Sequence, residues 1–132
     1  MKGAHEANGL TIGILPTDTA LNSSEDADIR IITGMGSGRN IINVLSSHIL
    51  VVIGMAAGTA SEVGLAIKSN KKVILLHQDE ITIRFFKNLG TYKVMVANTI
   101  AETLQIIRDY LRVTPAAPLK QRTSSASGEL EG

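Results

Sequence analysis

Two short glycine-rich stretches carry most of the chemistry this chain can do. The first is Thr33-Gly-Met-Gly-Ser-Gly-Arg-Asn40, in which Gly34, Gly36 and Gly38 alternate with other residues. Glycines at that spacing let the backbone approach a ligand closely, because no Cβ stands in the way. Arg39 follows at once, and its planar guanidinium matches a phosphate or a carboxylate. A cation in the first turn of a helix opposes the helix dipole, so the position asks for an anionic neighbour. The plainer alternative is an exposed Arg behind a flexible loop. The second stretch runs from Gly54 to Gly58-Thr59-Ala-Ser-Glu62. It follows five bulky apolar residues, 49–53, and leads into a helical pattern with Val63, Ala66 and Ile67 on one face. Strand, small-residue turn and helix start together present free N–H groups and the positive end of a helix dipole. Both stretches suit an anion, and phosphate above all.

Thr59 and Glu62 have the spacing of a capping box, so Glu62 reads as structural at least as readily as catalytic. His5, His48 and His77 are far apart and lack helical ligand spacing, and no metal site is expected. Asp18, Asp26 and Asp28 fall in a polar segment and read as loop residues.

The elements that position these residues follow from apolar patterning. The unbroken run 49–53 reads as the central strand of a parallel sheet with both faces covered. Residues 10–15, 29–32, 73–76 and 92–97 read as further strands. Helices are expected over about 3–7, stopped by Asn8-Gly9, and over 37–47, with Ile41, Ile42, Val44 and Leu45 toward the sheet. A third opens at Thr59, and a short fourth starts at Asp79 or Thr82 and is closed by Gly90. The last opens on a Thr99–Glu102 capping box, with Leu104, Ile106, Ile107 and Leu111 as its stripe. Alternating strands and helices predict an α/β parallel sheet with flanking helices, whose ligands sit at the strands' carboxyl ends. One domain over residues 1–112 is expected, followed by a Pro-, Ala- and Ser-rich tail, 113–132, too poor in apolar residues to fold.

Composition narrows the function classes. The chain is 44% hydrophobic but only 3% aromatic, with a net charge of +1, so it has neither the charge nor the stacking surface of a nucleic-acid binder. It has no cysteine, hence no disulfide framework and no thiolate metal site. No apolar run approaches the roughly 20 residues that span a bilayer, and no secretory signal is visible. A cytoplasmic protein with a small-molecule partner, and with neither nucleic acid nor membrane, is the expectation.

With both stretches in hand, a resemblance becomes specific. Gly58-Thr59-x-x-Glu62 behind a buried strand resembles the second half of the PGGxGTxxE motif of the Lonely Guy (LOG) superfamily, often labelled lysine decarboxylase-like. Arg39 matches that superfamily's other functional arginine. The 33–40 stretch, Ser46-Ser47 and residues 2–16 look most like the branch that contains molybdenum cofactor carrier proteins. The likeness covers roughly residues 2–111. It implies a Rossmann-like fold that binds a phosphorylated nucleotide-like or molybdopterin-like ligand, with the molybdenum cofactor as a possible cargo. The implied binding residues are Gly34, Gly36, Gly38, Arg39, Asn40, Gly54, Gly58, Thr59 and Glu62. The rival implied reading is a LOG-type phosphoribohydrolase that releases adenine or a cytokinin base from a nucleoside 5′-monophosphate, with Arg39 and Glu62 as catalytic residues. A third is an inactive remnant that serves only oligomer contacts.

Two departures from the family pattern matter. The motif's proline and paired glycines correspond to Gly54, Met55 and Ala56, so a side chain stands where backbone would approach phosphate. The family's opening strand–helix–strand unit also has no counterpart before Lys2. Its absence implies an unpaired edge on the strand at 29–32 or 49–53, and with it a homo-oligomer.

Overall fold

The computed structural model describes residues 1–21 and 23–113. The elements are α1 (Lys2–Glu6), β1 (Ile12–Leu15), β2 (Ile29–Ile32), a 3-10 turn (Gly36–Gly38), α2 (Arg39–Ser46), β3 (Ile49–Ile53), α3 (Ala57–Lys68) and β4 (Lys72–Leu76). They continue with α4 (Glu80–Gly90), a 3-10 turn (Thr91–Lys93), β5 (Val94–Ala97) and α5 (Ile100–Val113). Val113 is thus the end of a helix, and the rest of the expected tail lies outside the described residues.

Local chemistry sets the helix ends. Asp79 caps α4, its carboxylate accepting from the Thr82 N–H at 2.9 Å. The Thr99 hydroxyl accepts from Glu102 N–H at 3.2 Å, and the Glu102 carboxylate reaches back to Asn98 N–H at 2.7 Å, one residue beyond the usual capping-box partner. Asn8 takes a left-handed φ of 56° just past α1, as the Asn-Gly pair predicts. The end of α2 is held by Lys71, whose Nζ donates to the carbonyls of Leu45 at 2.9 Å and Ser47 at 2.8 Å. A cation there also meets the negative end of the helix dipole.

Every strand pairing is parallel, but the strands form two sheets, β1–β2 and β3–β4–β5. The best-buried strand is β4, with Val73 to Leu76 all inside. On one of its faces Val63 of α3, Phe86 of α4 and Val44 of α2 meet Val73 and Leu75. On the other, Ile106 and Ile107 of α5 pack against Ile74 and Leu76. Helices on both faces are what an all-parallel sheet needs.

Three expectations require correction. Among the described residues the run 49–53 is not central: β3 pairs with β4 alone there, and Val51 and Ile53 are 40% and 76% exposed. An uninterrupted apolar run reports what a strand wants around it, not what lies there. Leu45 is exposed, because it sits about 100° round the helix from buried Val44. On α5 the inward stripe is Thr103, Ile106 and Ile107, leaving Leu104 and Leu111 exposed. Thr103 takes a core position because its hydroxyl donates to the Thr99 carbonyl at 3.0 Å.

The β1–β2 pair is fastened by Asp28, which is more than a loop residue. Its carboxylate accepts from Thr11 N–H at 2.7 Å, lies 2.8 Å from the Thr11 hydroxyl and 3.0 Å from His5 Nε2. The Thr11 backbone bond, then the Thr11 hydroxyl and His5, hold its pKa down to about 2. A depressed carboxylate stabilises the fold fully above its ordinary value of 3.8, and that contribution is lost as pH falls through about 2. The Asp28→Asn variant should therefore lose stability at neutral pH and show a flatter fall in melting temperature between pH 4 and 2. Thermal melts of both proteins across that range check this, and parallel curves would show that Asp28 contributes nothing.

Candidate functional site

The two glycine-rich stretches meet. Ser37, Arg39 and Asn40 from the start of α2, Gly58, Thr59 and Glu62 from α3, and Pro16 and Gly36 line one hollow of about 460 Å³. It lies past the carboxyl ends of β1 and β3, where open α/β sheets place their ligands. Gly34, Gly38 and Gly54, expected among the binding residues, do not line it.

The two sides are built differently. In the first loop every glycine amide is engaged inside the protein. Gly34 N–H donates to Thr17 O at 2.9 Å, Gly36 N–H to Pro16 O at 2.9 Å, and Gly38 N–H to Met35 O at 2.9 Å. The Thr33 hydroxyl adds a bond to Leu15 O at 2.6 Å. The loop is therefore a clasp on the end of β1 rather than an amide cradle. Gly34 and Gly36 are needed for their φ of 62° and 53°, which other residues adopt only with strain.

Free amides lie on the other side. Helix α3 starts at Ala57, two residues before Thr59, and its N-cap, Ala56, makes no side-chain cap bond. The expected Thr59–Glu62 capping box does not form. The Ala60 N–H is taken by Ala56 O at 2.8 Å, so the groups left for a ligand are those of Ala57, Gly58 and Thr59, with the dipole's positive end behind them. A Cβ built on Gly58 would meet nothing within 4 Å, which leaves that approach open. Met55 does not obstruct it: its side chain packs against the core cluster of Val52 and Val63, and Gly54, at φ 73°, takes the special conformation.

Side chains complete the site. Arg39 NH1 donates to Ile14 O at 2.8 Å, tying α2 to β1 and leaving four other N–H donors on a guanidinium that lines the hollow. Asn40 Nδ2 donates to Ser61 Oγ at 3.2 Å, and Ser61 Oγ donates to Gly58 O at 2.6 Å. Glu62 accepts from Asn43 Nδ2 at 3.2 Å, bridging α3 to α2. Sequence spacing could not show that Asn43 and Ser61 take part, since both act across the helix pair. The arrangement offers several donors and one carboxylate, which suits an anionic ligand with polar groups.

A family model, the SLOG cluster4 family, matches residues 1–104. The chain belongs to that family. Among solved structures, this SLOG cluster4 chain is similar to the molybdenum cofactor binding protein of Rippkaea orientalis, with 44% identity and a TM-score of 0.79 over 82% of this chain and 66% of that one. It is similar to the molybdenum cofactor carrier protein of Chlamydomonas reinhardtii at 44% identity and a TM-score of 0.79, covering 84% of this chain and 68% of that one. An uncharacterized protein of Archaeoglobus fulgidus is 45% identical over 75 residues, 57% of this chain and 49% of its own length. The SLOG cluster4 chain thus spans about two thirds of the solved chains and half of the curated relative. No helix of its described residues is long and apolar enough to cross a membrane.

Proposed function

We propose that the chain binds a phosphorylated small molecule of pterin or nucleotide type, the molybdenum cofactor foremost, between the starts of α2 and α3. The observation that carries this reading is the single hollow shared by Arg39, Asn40, Gly58 and Thr59 beside an uncapped helix start. Its volume of about 460 Å³ falls in the range of small-ligand sites. The donors present fit a phosphate: the amides of Ala57 to Thr59 and the Arg39 guanidinium would hold it, while Asn40 and Ser37 contact the ring system. The two solved relatives named above, described as binding or carrying the molybdenum cofactor, favour a carried ligand.

Gly58 tests this without confusing binding with folding. The Cβ of a leucine at Gly58 meets nothing within 4 Å and a helix favours leucine over glycine, so Gly58→Leu should not destabilise the fold and gains up to about 0.5–1 kcal/mol. The same side chain fills the hollow, and affinity for molybdopterin should fall roughly tenfold or more (~1.4 kcal/mol). Denaturant unfolding and fluorescence titration with molybdopterin read the two effects separately. A stabilised variant with unchanged affinity would place the ligand elsewhere.

Glu62 keeps hydrolysis as the second reading, because its carboxylate lines the same hollow as Arg39. A carboxylate there can stabilise an oxocarbenium-like ribose or orient water. Release of adenine from adenosine monophosphate, abolished by Glu62→Gln, would make the protein an enzyme.

A further inference from the structure

The charges around the β3–β4–β5 sheet are sorted by end. Between Glu62 and Asp79 the chain carries Lys68, Lys71 and Lys72 and no carboxylate, and between Glu80 and Glu102 it carries Arg84, Lys87 and Lys93 and none. Glu62 lines the ligand hollow, Asp79 caps α4, and Glu80 and Glu102 lie in first helical turns, so these acids stand at the carboxyl end of the sheet. Arg84 joins them through Glu80 at 3.0 Å. The five lysines take the other end. Helices that link parallel strands run back to the strand starts, and Lys68 and Lys87 occupy the last turns of α3 and α4. Lys71 and Lys93 directly precede β4 and β5, and Lys72 opens β4. The end of α5 is there too, but its Asp109 and Arg112 lie 3.9 Å apart and offset each other.

Capping of carbonyls accounts for part of this placement. Lys71 Nζ holds two carbonyls at the end of α2, Lys72 Nζ donates to Tyr92 O at 3.2 Å, and Lys93 Nζ donates to Ile67 O at 3.3 Å. An ammonium has three donors, so Lys72 and Lys93 each keep two and Lys71 keeps one. Tyr92 stands 71% exposed among them, with Lys72 Nζ 4.7 Å and Lys93 Nζ 5.9 Å from its ring centroid. Two ammoniums held against one exposed ring repel each other, and an anion set between them turns that repulsion into attraction.

We propose that this amino end of the sheet docks an acidic segment of a partner protein, with its carboxylates at Lys72 and Lys93 beside Tyr92. Carbonyl bonds fix both ammoniums, so they offer set positions to set carboxylates, while the Tyr92 ring offers apolar surface to the segment's stem. A nucleic acid fits less well, because the ring that would stack on a base already carries a cation. A bilayer holds an interfacial helix by its apolar face, whereas this surface is made of helix ends and strand starts. The surface lies at the opposite end of the sheet from the ligand hollow. Partner and ligand therefore do not compete, and the docking surface stands whether or not the ligand reading holds.

The probe is a fluorescein-labelled decapeptide of alternating glutamate and alanine, mixed at low salt with the full chain and followed by anisotropy. Lys72→Gln with Lys93→Gln retains a donor for each carbonyl and removes both charges, and it should weaken the peptide roughly tenfold. Lys68→Gln with Lys87→Gln, at exposed side chains outside these bonds, should weaken it by less. Arg30→Gln with Arg84→Gln removes the same net charge elsewhere and should leave the affinity unchanged. Equal losses in the Lys72/Lys93 and Arg30/Arg84 variants would reduce the effect to net charge and overturn the proposal, as would no binding by the unaltered chain. If phosphatidylserine vesicles or a single-stranded oligonucleotide bind more tightly than the peptide, the surface belongs to a lipid or a nucleic acid instead. If the chain binds the peptide only after Glu129→Gln and Glu131→Gln, its own acidic residues take the surface and the partner is overturned.

Discussion

An Arg39→Ala variant is expected to bind a phosphorylated ligand more weakly by about 2 kcal/mol or more, roughly a thirtyfold loss. The reason is the guanidinium's position on the hollow, where several of its donors remain after one bonds Ile14 O at 2.8 Å. That bond adds a second effect that residue spacing does not reveal. Ile14 is half-buried in β1, and removing its donor should also lower stability by about 1 kcal/mol. Two further variants separate the effects. Arg39→Gln retains an amide that can donate to Ile14 and should recover part of the stability but not the affinity. Arg39→Lys keeps the charge and should recover part of the affinity. Titration with molybdopterin beside chemical denaturation reads both columns of this comparison. If Arg39→Ala loses stability alone, Arg39 is a tie between α2 and β1, and the phosphate lies on the α3 side only.

The second large effect concerns packing. A Cβ on Gly90 would stand 2.5 Å from Val94 Cγ2 and 3.0 Å from two carbons of Ile67. The backbone at Gly90 has φ −110°, open to any residue, so strain of conformation is not the issue. Helix propensity favours alanine over glycine by up to about 1 kcal/mol, whereas overpacking a filled site costs about 1–3 kcal/mol. Val94 decides the sign. It is β-branched, 3% exposed and held in β5, so its methyl group cannot swing aside. Gly90→Ala should therefore destabilise the fold by about 1–2 kcal/mol, or roughly 5 °C in melting temperature. The double variant with Val94→Ala should lose less than the sum of the two single changes. Strict additivity would show that the two sites do not touch.

Most of the scaffold was legible because its signals are local. The ranges 29–32 and 49–53 are bounded by polar or small residues, and Asp79 and Thr99 cap helices through bonds spanning three residues. What escaped depends on contacts between distant segments. No pattern within 49–53 distinguishes a central strand from an edge strand, since both are apolar throughout. Gly34, Gly36 and Gly38 mark a special backbone, but only the fold shows their amides turned toward Pro16, Thr17 and Met35. Thr59 and Glu62 match a capping box by spacing, yet Ala57 begins the helix and Asn43, 19 residues away, claims the Glu62 carboxylate. Asp28 reads as a plain loop residue for the same reason: its partners Thr11 and His5 are 17 and 23 residues back. The meeting of the two glycine-rich stretches was foreseeable from the rule that parallel strands present their carboxyl ends together. Free amides at the start of α3 were foreseeable too, from its small-residue turn and helix start, but not that Ala56 O takes the Ala60 N–H.

The distribution of the core has a consequence for how the chain is made. Every residue of the two buried clusters, with the half-buried residues packed on them, lies between Val44 and Ile107. During synthesis the earlier residues leave the ribosome first, and they include Ile29–Ile32, of which all four are exposed even in the finished fold. At about 5–20 residues per second, several seconds pass before β5 completes the sheet on which α2 and the first pair of strands are anchored. For that interval the β1–β2 pair has only itself to cover its apolar residues.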